Sequence, residues 1–253
     1  MLLLSGSGPN DKDETIGPNH LLRDLADTLS LMGYASLRYD KRTRVYGNRT
    51  TSLTSVFTYQ EEVVDDALYA LEWIHSRPDC AGLPVYVLGH SLSAMLLPLI
   101  AQQTTCQLAG YIALAAPSMS LQKSLRRQLR HLMKTGQLTK EQATATEQQA
   151  LKAAPPEYWK FDRSYKPVKA HKKLALPMLY LQGTADYQVT PADLKAYEKQ
   201  GNTKATYVLL PSVNHLMGTN QTTPLAQPSD YGRRQPLAPV VADELRKFLL
   251  HSH

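Results

Sequence analysis

Six short apolar runs, separated by longer segments of helical period, constrain this chain more than any other feature. They are Met1–Leu4, Tyr34–Arg38, Pro84–Leu88, Gly110–Ala115, Pro177–Gln182 and Thr206–Leu210, each rich in Leu, Val, Ile or Tyr. Such runs suit strands covered on both faces. Their alternation with helices predicts an α/β fold: βαβ units around a mostly parallel, doubly wound sheet of about six strands. Between the first two runs, Leu22, Leu25, Ala26, Leu29 and Met32 share one helical face, with Pro18 placed to open the helix and Gly33 to close it. Thr58-Tyr-Gln-Glu61 reads as a capping box ahead of the stripe Val63, Ala67, Ala70 and Ile74. Thr190-Pro191 starts a further helix that Gly201 ends.

The alternation lapses once. Residues 117–173 contain no strand candidate, which divides the chain into a core of 1–116 and 174–253 and a helical insertion. Leu121, Leu125, Leu129 and Leu132 line one face of a helix whose other face carries arginines, and Pro155-Pro156 breaks a second, polar helix. Aromatics then concentrate at Tyr158, Trp159, Phe161 and Tyr165. An aromatic-rich insertion between two strands suits a cap over the sheet end and a pocket wall. The alternative is a pair of helices merely packed on one face.

Bulk properties exclude several classes. The 253 residues are enough for a well-buried core, and 43% are hydrophobic, as in ordinary globular chains. No run approaches the roughly 18 apolar residues of a membrane span, and MLLLSGSG lacks the length and basic flank of a secretory signal. Two cysteines, Cys80 and Cys106, do not make a disulfide scaffold, so a reducing, cytoplasmic setting is expected. The net charge of +6 is spread over the chain without a nucleic-acid motif, so no nucleic-acid or membrane partner is expected.

The chemistry is carried by GHSLSA, Gly89 to Ala94. It follows a strand and precedes an apolar helix interrupted by Pro98, the context of a serine nucleophile turn of the pattern G-x-S-x-G. The residues two before and two after the serine must be small because the sharp turn brings them together. Gly89 meets that demand fully; Ser93, where the second glycine is usual, meets it less well. A serine needs a base and an orienting acid, and in doubly wound hydrolases these follow in the order Ser, acid, His. Asp186 comes just after the run ending at Gln182, and His215 just after the run ending at Leu210, so both belong to the sheet edge that carries Ser91. Asp193 reads better as a helix-start residue, and Asp162 and Asp230 are weaker rivals for the acid. His90 points away from the turn and reads as structural; the histidines on helices, loops and tail read as surface residues. Oxyanion donors are expected from the backbone N–H of Leu92 and, in the glycine-containing loop Ser5-Gly-Ser-Gly-Pro9, that of Ser7. No His/Cys set has zinc spacing, so neither metal nor other cofactor is expected.

These residues resemble the α/β-hydrolase superfamily, and most closely its small bacterial serine carboxylesterases near the serine-aminopeptidase and dienelactone-hydrolase branches. The likeness is carried by Leu4 to Glu14, Leu37 to Gly47, Gly89 to Leu92, Leu181 to Val189, and Asn214-His215. It implies a capped fold and hydrolysis of small carboxylic esters by Ser91, His215 and Asp186; the apolar and aromatic residues Leu125, Trp159, Phe161 and Tyr165 of the insertion suggest a modest hydrophobic acyl pocket. Two departures stand out: Ser93, and a chain that begins at what resembles the third strand of that fold. The second would leave Tyr34–Arg38 at the sheet edge, where it invites pairing into a homodimer. A peptidase or amidase with the same triad, and a ligand-binding scaffold without turnover, are the rival readings.

Overall fold

The computed structural model describes residues 1–52, 56–220 and 224–251. Its strands, among the described residues, are β1 (Leu2–Leu4), β2 (Thr15–Ile16), β3 (Asn19–His20), β4 (Tyr86–His90), β5 (Gly110–Leu114), β6 (Met178–Gly183) and β7 (Ala205–Leu210). β2 and β3 form a small antiparallel ribbon. The other five make one sheet in the order β1-β4-β5-β6-β7, with every neighbouring pair parallel. The helices are α1 (Leu21–Leu31), α2 (Arg42–Tyr46), α3 (Asp65–Ser76), α4 (Leu92–Gln103), α5 (Leu121–Lys134), α6 (Lys140–Lys152), α7 (Pro156–Ser164), α8 (Pro167–His171), α9 (Pro191–Lys199) and α10 (Pro239–His251).

The period-2 alternation of a strand sorts the core onto two faces. Leu2 and Leu4 join Val87, Ala113, Met178 and Tyr180 beneath α3, α4 and α9. Leu3 joins Leu88, Ile112, Leu114, Leu179 and Leu181 beneath α1 and α10. Strands β1, β4, β5 and β6 are buried from end to end, which is why they read as unbroken apolar runs. No helix among the described residues is long and apolar enough to cross a membrane.

Three expectations are corrected. Tyr34–Arg38 is not a strand, so the sheet has five members instead of six. Its pairing shrinks to one parallel bridge, Leu37 beside Leu2, made by Leu3 N–H to the Leu37 carbonyl at 2.9 Å and Leu37 N–H to the Met1 carbonyl at 2.8 Å. Strand β1 is only three residues long, and Arg38 turns to the Asp13 carboxylate at 2.8 Å, so the ladder has nothing to continue on. Pro18 does not open α1, which starts at Leu21 after the ribbon; Gly33 does follow its end, at φ +85°. Thr58 and Glu61 form half of the expected capping box: Glu61 accepts the Thr58 N–H at 2.6 Å, but a π-turn over Gln60–Val64 precedes α3.

Candidate active site

The turn between β4 and α4 is a single residue. Ser91 sits at φ +53°, ψ −112°, a conformation that strains any residue with a side chain. Its N–H donates to the Leu114 carbonyl at 2.9 Å, and its carbonyl accepts from Met95 N–H at 3.0 Å. Gly89 is required sterically, because a Cβ there would lie 2.6 Å from the Ala94 nitrogen. Ser93 departs from the usual glycine without spoiling the turn. Its hydroxyl donates to the Ser5 carbonyl, tying the serine turn to the loop after β1. Among the described residues, the N–H groups of Leu92 and Ser7 have no hydrogen-bond partner within the chain, the state an oxyanion donor requires.

Asp186 and His215 meet as the loops after β6 and β7 converge. Gly183 permits this approach: a Cβ there would be 2.0 Å from the Val213 carbonyl oxygen. The His215 Nδ1 lies 2.7 Å from Asp186 Oδ2, and Asp186 is wholly buried. Backbone N–H groups of Gln188 and Val189 donate to Asp186 Oδ1 at 2.8 and 3.0 Å, and Gln182 Nε2 donates to Oδ2 at 3.3 Å. These donors satisfy a carboxylate that could not otherwise sit in the interior. Asn214 shapes the histidine turn by accepting Leu216 and Gly218 N–H groups at 3.0 and 3.2 Å. Among the described residues, no hydrogen bond joins Ser91 Oγ to His215 Nε2; such contacts are often long until substrate is bound.

The rival acids serve elsewhere. Asp193 caps α9 through the Thr190 N–H at 2.8 Å and pairs with Arg127 at 2.7 Å. Asp162 accepts from the Tyr59 hydroxyl at 2.5 Å and the Leu121 N–H at 2.6 Å. Asp230 caps the turn at Pro228–Gly232. His171, expected at the surface, is buried between α4 and β6, with Nδ1 2.5 Å from the Tyr180 hydroxyl and Nε2 3.1 Å from the Met95 carbonyl. Burial pushes its pKa down to about 3, which keeps it neutral.

Of the expected pocket residues, Trp159, Phe161 and Tyr165 pack with Tyr59, Leu92, Met95 and Leu96, joining α7 to the helix that follows Ser91. Tyr165 donates to the Met95 carbonyl at 3.1 Å. Leu125 is half-buried on α5. An open cavity of about 390 Å³ lies at the opposite, N-terminal edge of the sheet, lined by Leu108, Tyr111, Lys173 and Leu174, away from this chemistry. Among the described residues, no group of three His, Cys, Asp or Glu is placed to hold a metal ion.

Glu14 is the partner that sequence reasoning missed. It is buried, at φ +51°, and its Oε1 lies 2.8 Å from His90 Nδ1 and accepts Gly6 N–H at 2.7 Å. His90 Nε2 in turn lies 2.9 Å from the His215 carbonyl. Burial opposes charge on both groups, but their mutual attraction, with the Gly6 N–H on Glu14 and the His215 carbonyl on His90, together outweighs it, lowering the Glu14 pKa and raising that of His90. This ion pair therefore ties the loop after β1, the serine turn and the histidine loop together. The one available signal was His90 itself, a polar side chain beside the turn that had to find a buried partner.

No family model matches the chain. It is 35% identical over 265 residues to esterase EstD of Thermotoga maritima; the match takes in 99% of this chain but only 61% of that protein, so the chain spans about three fifths of its curated relative. Among solved structures, ferulic acid-bound Est1E from Butyrivibrio proteoclasticus matches at TM-score 0.65 and 14% identity, over 99% of this chain and 88% of that one. A thermophilic esterase from Thermogutta terrifontis matches at TM-score 0.59 and 17% identity, over 100% and 90% of the two chains. The Pyrococcus furiosus esterase Pf2001 matches at TM-score 0.63 and 14% identity, over 98% and 79%.

Proposed function

We propose that this chain, which has the α/β-hydrolase fold, is a serine esterase that cleaves small carboxylic esters through an acyl-enzyme. One observation carries the reading: a strained serine at the C-terminal end of β4 shares a sheet edge with a buried His215–Asp186 pair. The esterase identity of its 35% relative supports it.

With Nδ1–H donating to Asp186, the neutral His215 presents an unprotonated Nε2 as base. Ser91 Oγ attacks the ester carbonyl as His215 takes its proton, and the carbonyl oxygen becomes an anion held by the Leu92 and Ser7 N–H groups. The intermediate collapses, and the proton passes to the departing alkoxide. Water then repeats the sequence on the acyl-enzyme, releasing the acid and restoring Ser91. Asp186 holds the ring orientation and stabilises the imidazolium. Residues 117–173 act as the cap in this reading, and Leu125, Trp159, Phe161 and Tyr165 wall the acyl side.

Hydrolysis of p-nitrophenyl acetate and of the matching anilide, by wild type and Ser91→Ala, tests this. The ester should turn over far faster than the anilide, and Ser91→Ala should lose on the order of 10⁴-fold or more in kcat. Retention of full activity by Ser91→Ala would rule the reading out.

A further inference from the structure

Lys41 is the one buried lysine among the described residues, and it sits against the loop that carries Ser7. Its Nζ lies 2.7 Å from Glu62 Oε1 and donates to the Gly6 carbonyl at 3.0 Å. Glu62 is buried as well, and its Oε2 accepts the Tyr158 hydroxyl of α7 at 2.6 Å. Asn10 Nδ2 donates to the same Gly6 carbonyl at 3.1 Å and to the Ser7 carbonyl at 3.0 Å.

A buried ion pair is a weak stability device, because desolvating two charges offsets much of their attraction. This one has a directional consequence. The Gly6–Ser7 peptide is trans, so its carbonyl and its N–H point in opposite directions. Holding the Gly6 carbonyl on the Lys41 ammonium fixes where the Ser7 N–H points. The same contact polarises the amide and strengthens its N–H as a donor. The peptide lies beside the nucleophile: a Cβ on Gly6 would be 3.2 Å from the Ser91 Cβ.

We propose that Lys41 is a positioning residue for oxyanion binding: held by Glu62, which Tyr158 holds in turn, it orients the Gly6–Ser7 peptide so that the Ser7 N–H faces the developing anion. This rests on the serine-esterase reading above.

The test compares wild type with Lys41→Met and with Lys41→Met/Glu62→Gln, which leaves no unpaired carboxylate in case the single variant fails to fold. For the folded variant, kcat should fall on the order of 10- to 100-fold with KM within about 2-fold of wild type, a partial loss of one oxyanion donor. Inhibition by a trifluoromethyl ketone, which forms a tetrahedral anion on serine, should weaken by the same factor. Binding of the corresponding methyl ketone should not change. A crystal structure should show the Gly6–Ser7 peptide rotated. Unchanged kcat, equal weakening of both ketones, or an unmoved peptide would each overturn the proposal. If wild-type turnover proves independent of Ser91, the esterase reading fails by itself. The peptide orientation in the double variant then decides the clamp, rotation supporting it and an unmoved peptide overturning it.

Discussion

At φ +53°, Ser91 holds a backbone conformation that costs about 1–3 kcal/mol for a residue with a side chain. Its surroundings must therefore over-determine it, and the Glu14–His90 pair is part of that support. The pH dependence follows from the two shifts. Glu14, lowered from 4.5, contributes fully above that value, and its contribution is lost as pH falls through its lower folded pKa. His90, raised from 6.5, contributes fully below that value, and its contribution is lost as pH rises through its higher folded pKa. The pair thus stabilises most between about pH 4.5 and 6.5. Glu14→Gln should lose about 3–5 kcal/mol of unfolding free energy at pH 5.5 and clearly less at pH 9, read from denaturant melts. An equal loss at both values would contradict this account. Ser91, Asp186 and His215 were legible in the sequence because each directly follows an apolar run, so local pattern placed all three at one edge. Glu14 and Lys41 were not, because their partners lie 76 and 21 residues away and no periodicity links such positions.

Elements whose burial is uniform were the easiest to read. Strands β4, β5 and β6 matched their apolar runs, and α9 followed from Thr190, Pro191 and Gly201. Tyr34–Arg38 misled because its composition is that of a strand, while its fate depended on a three-residue neighbour and on Asp13. The Ser93 hydroxyl was read only as an imperfect glycine, since its acceptor, the Ser5 carbonyl, lies in a distant loop. Among the helices of 117–173, α5 and α7 are tied to the core through Asp162, which is wholly buried. It receives the Leu121 and Gln122 N–H groups at the start of α5, at 2.6 and 3.1 Å, and the Tyr59 hydroxyl. A carboxylate there also complements the positive end of α5. Asp162→Asn replaces one acceptor oxygen by a donor and should cost about 1–3 kcal/mol. Hydrogen exchange should speed up across residues 121–134 and 156–164 while β4 and β5 keep their protection. Uniform acceleration over the whole chain would show that Asp162 supports the global fold and not the attachment of these helices.

For the molecule as a whole, the parallel sheet is the reason that residues far apart in sequence come to one edge. Loops after β1, β4, β6 and β7 all emerge at the same edge, carrying Ser7, Ser91, Asp186 and His215. Two faces of helices leave that edge as the place where polar groups can converge without breaking the core. On the proposed esterase function, this edge makes Ser91 a nucleophile. Intact-protein mass spectrometry after treatment with a fluorophosphonate probe, followed by peptide mapping, tests it most directly. A single adduct on Ser91, absent from Ser91→Ala and strongly slowed in His215→Ala, is the predicted result. Folded wild-type protein that takes up no probe, or takes it up at another residue, would contradict it.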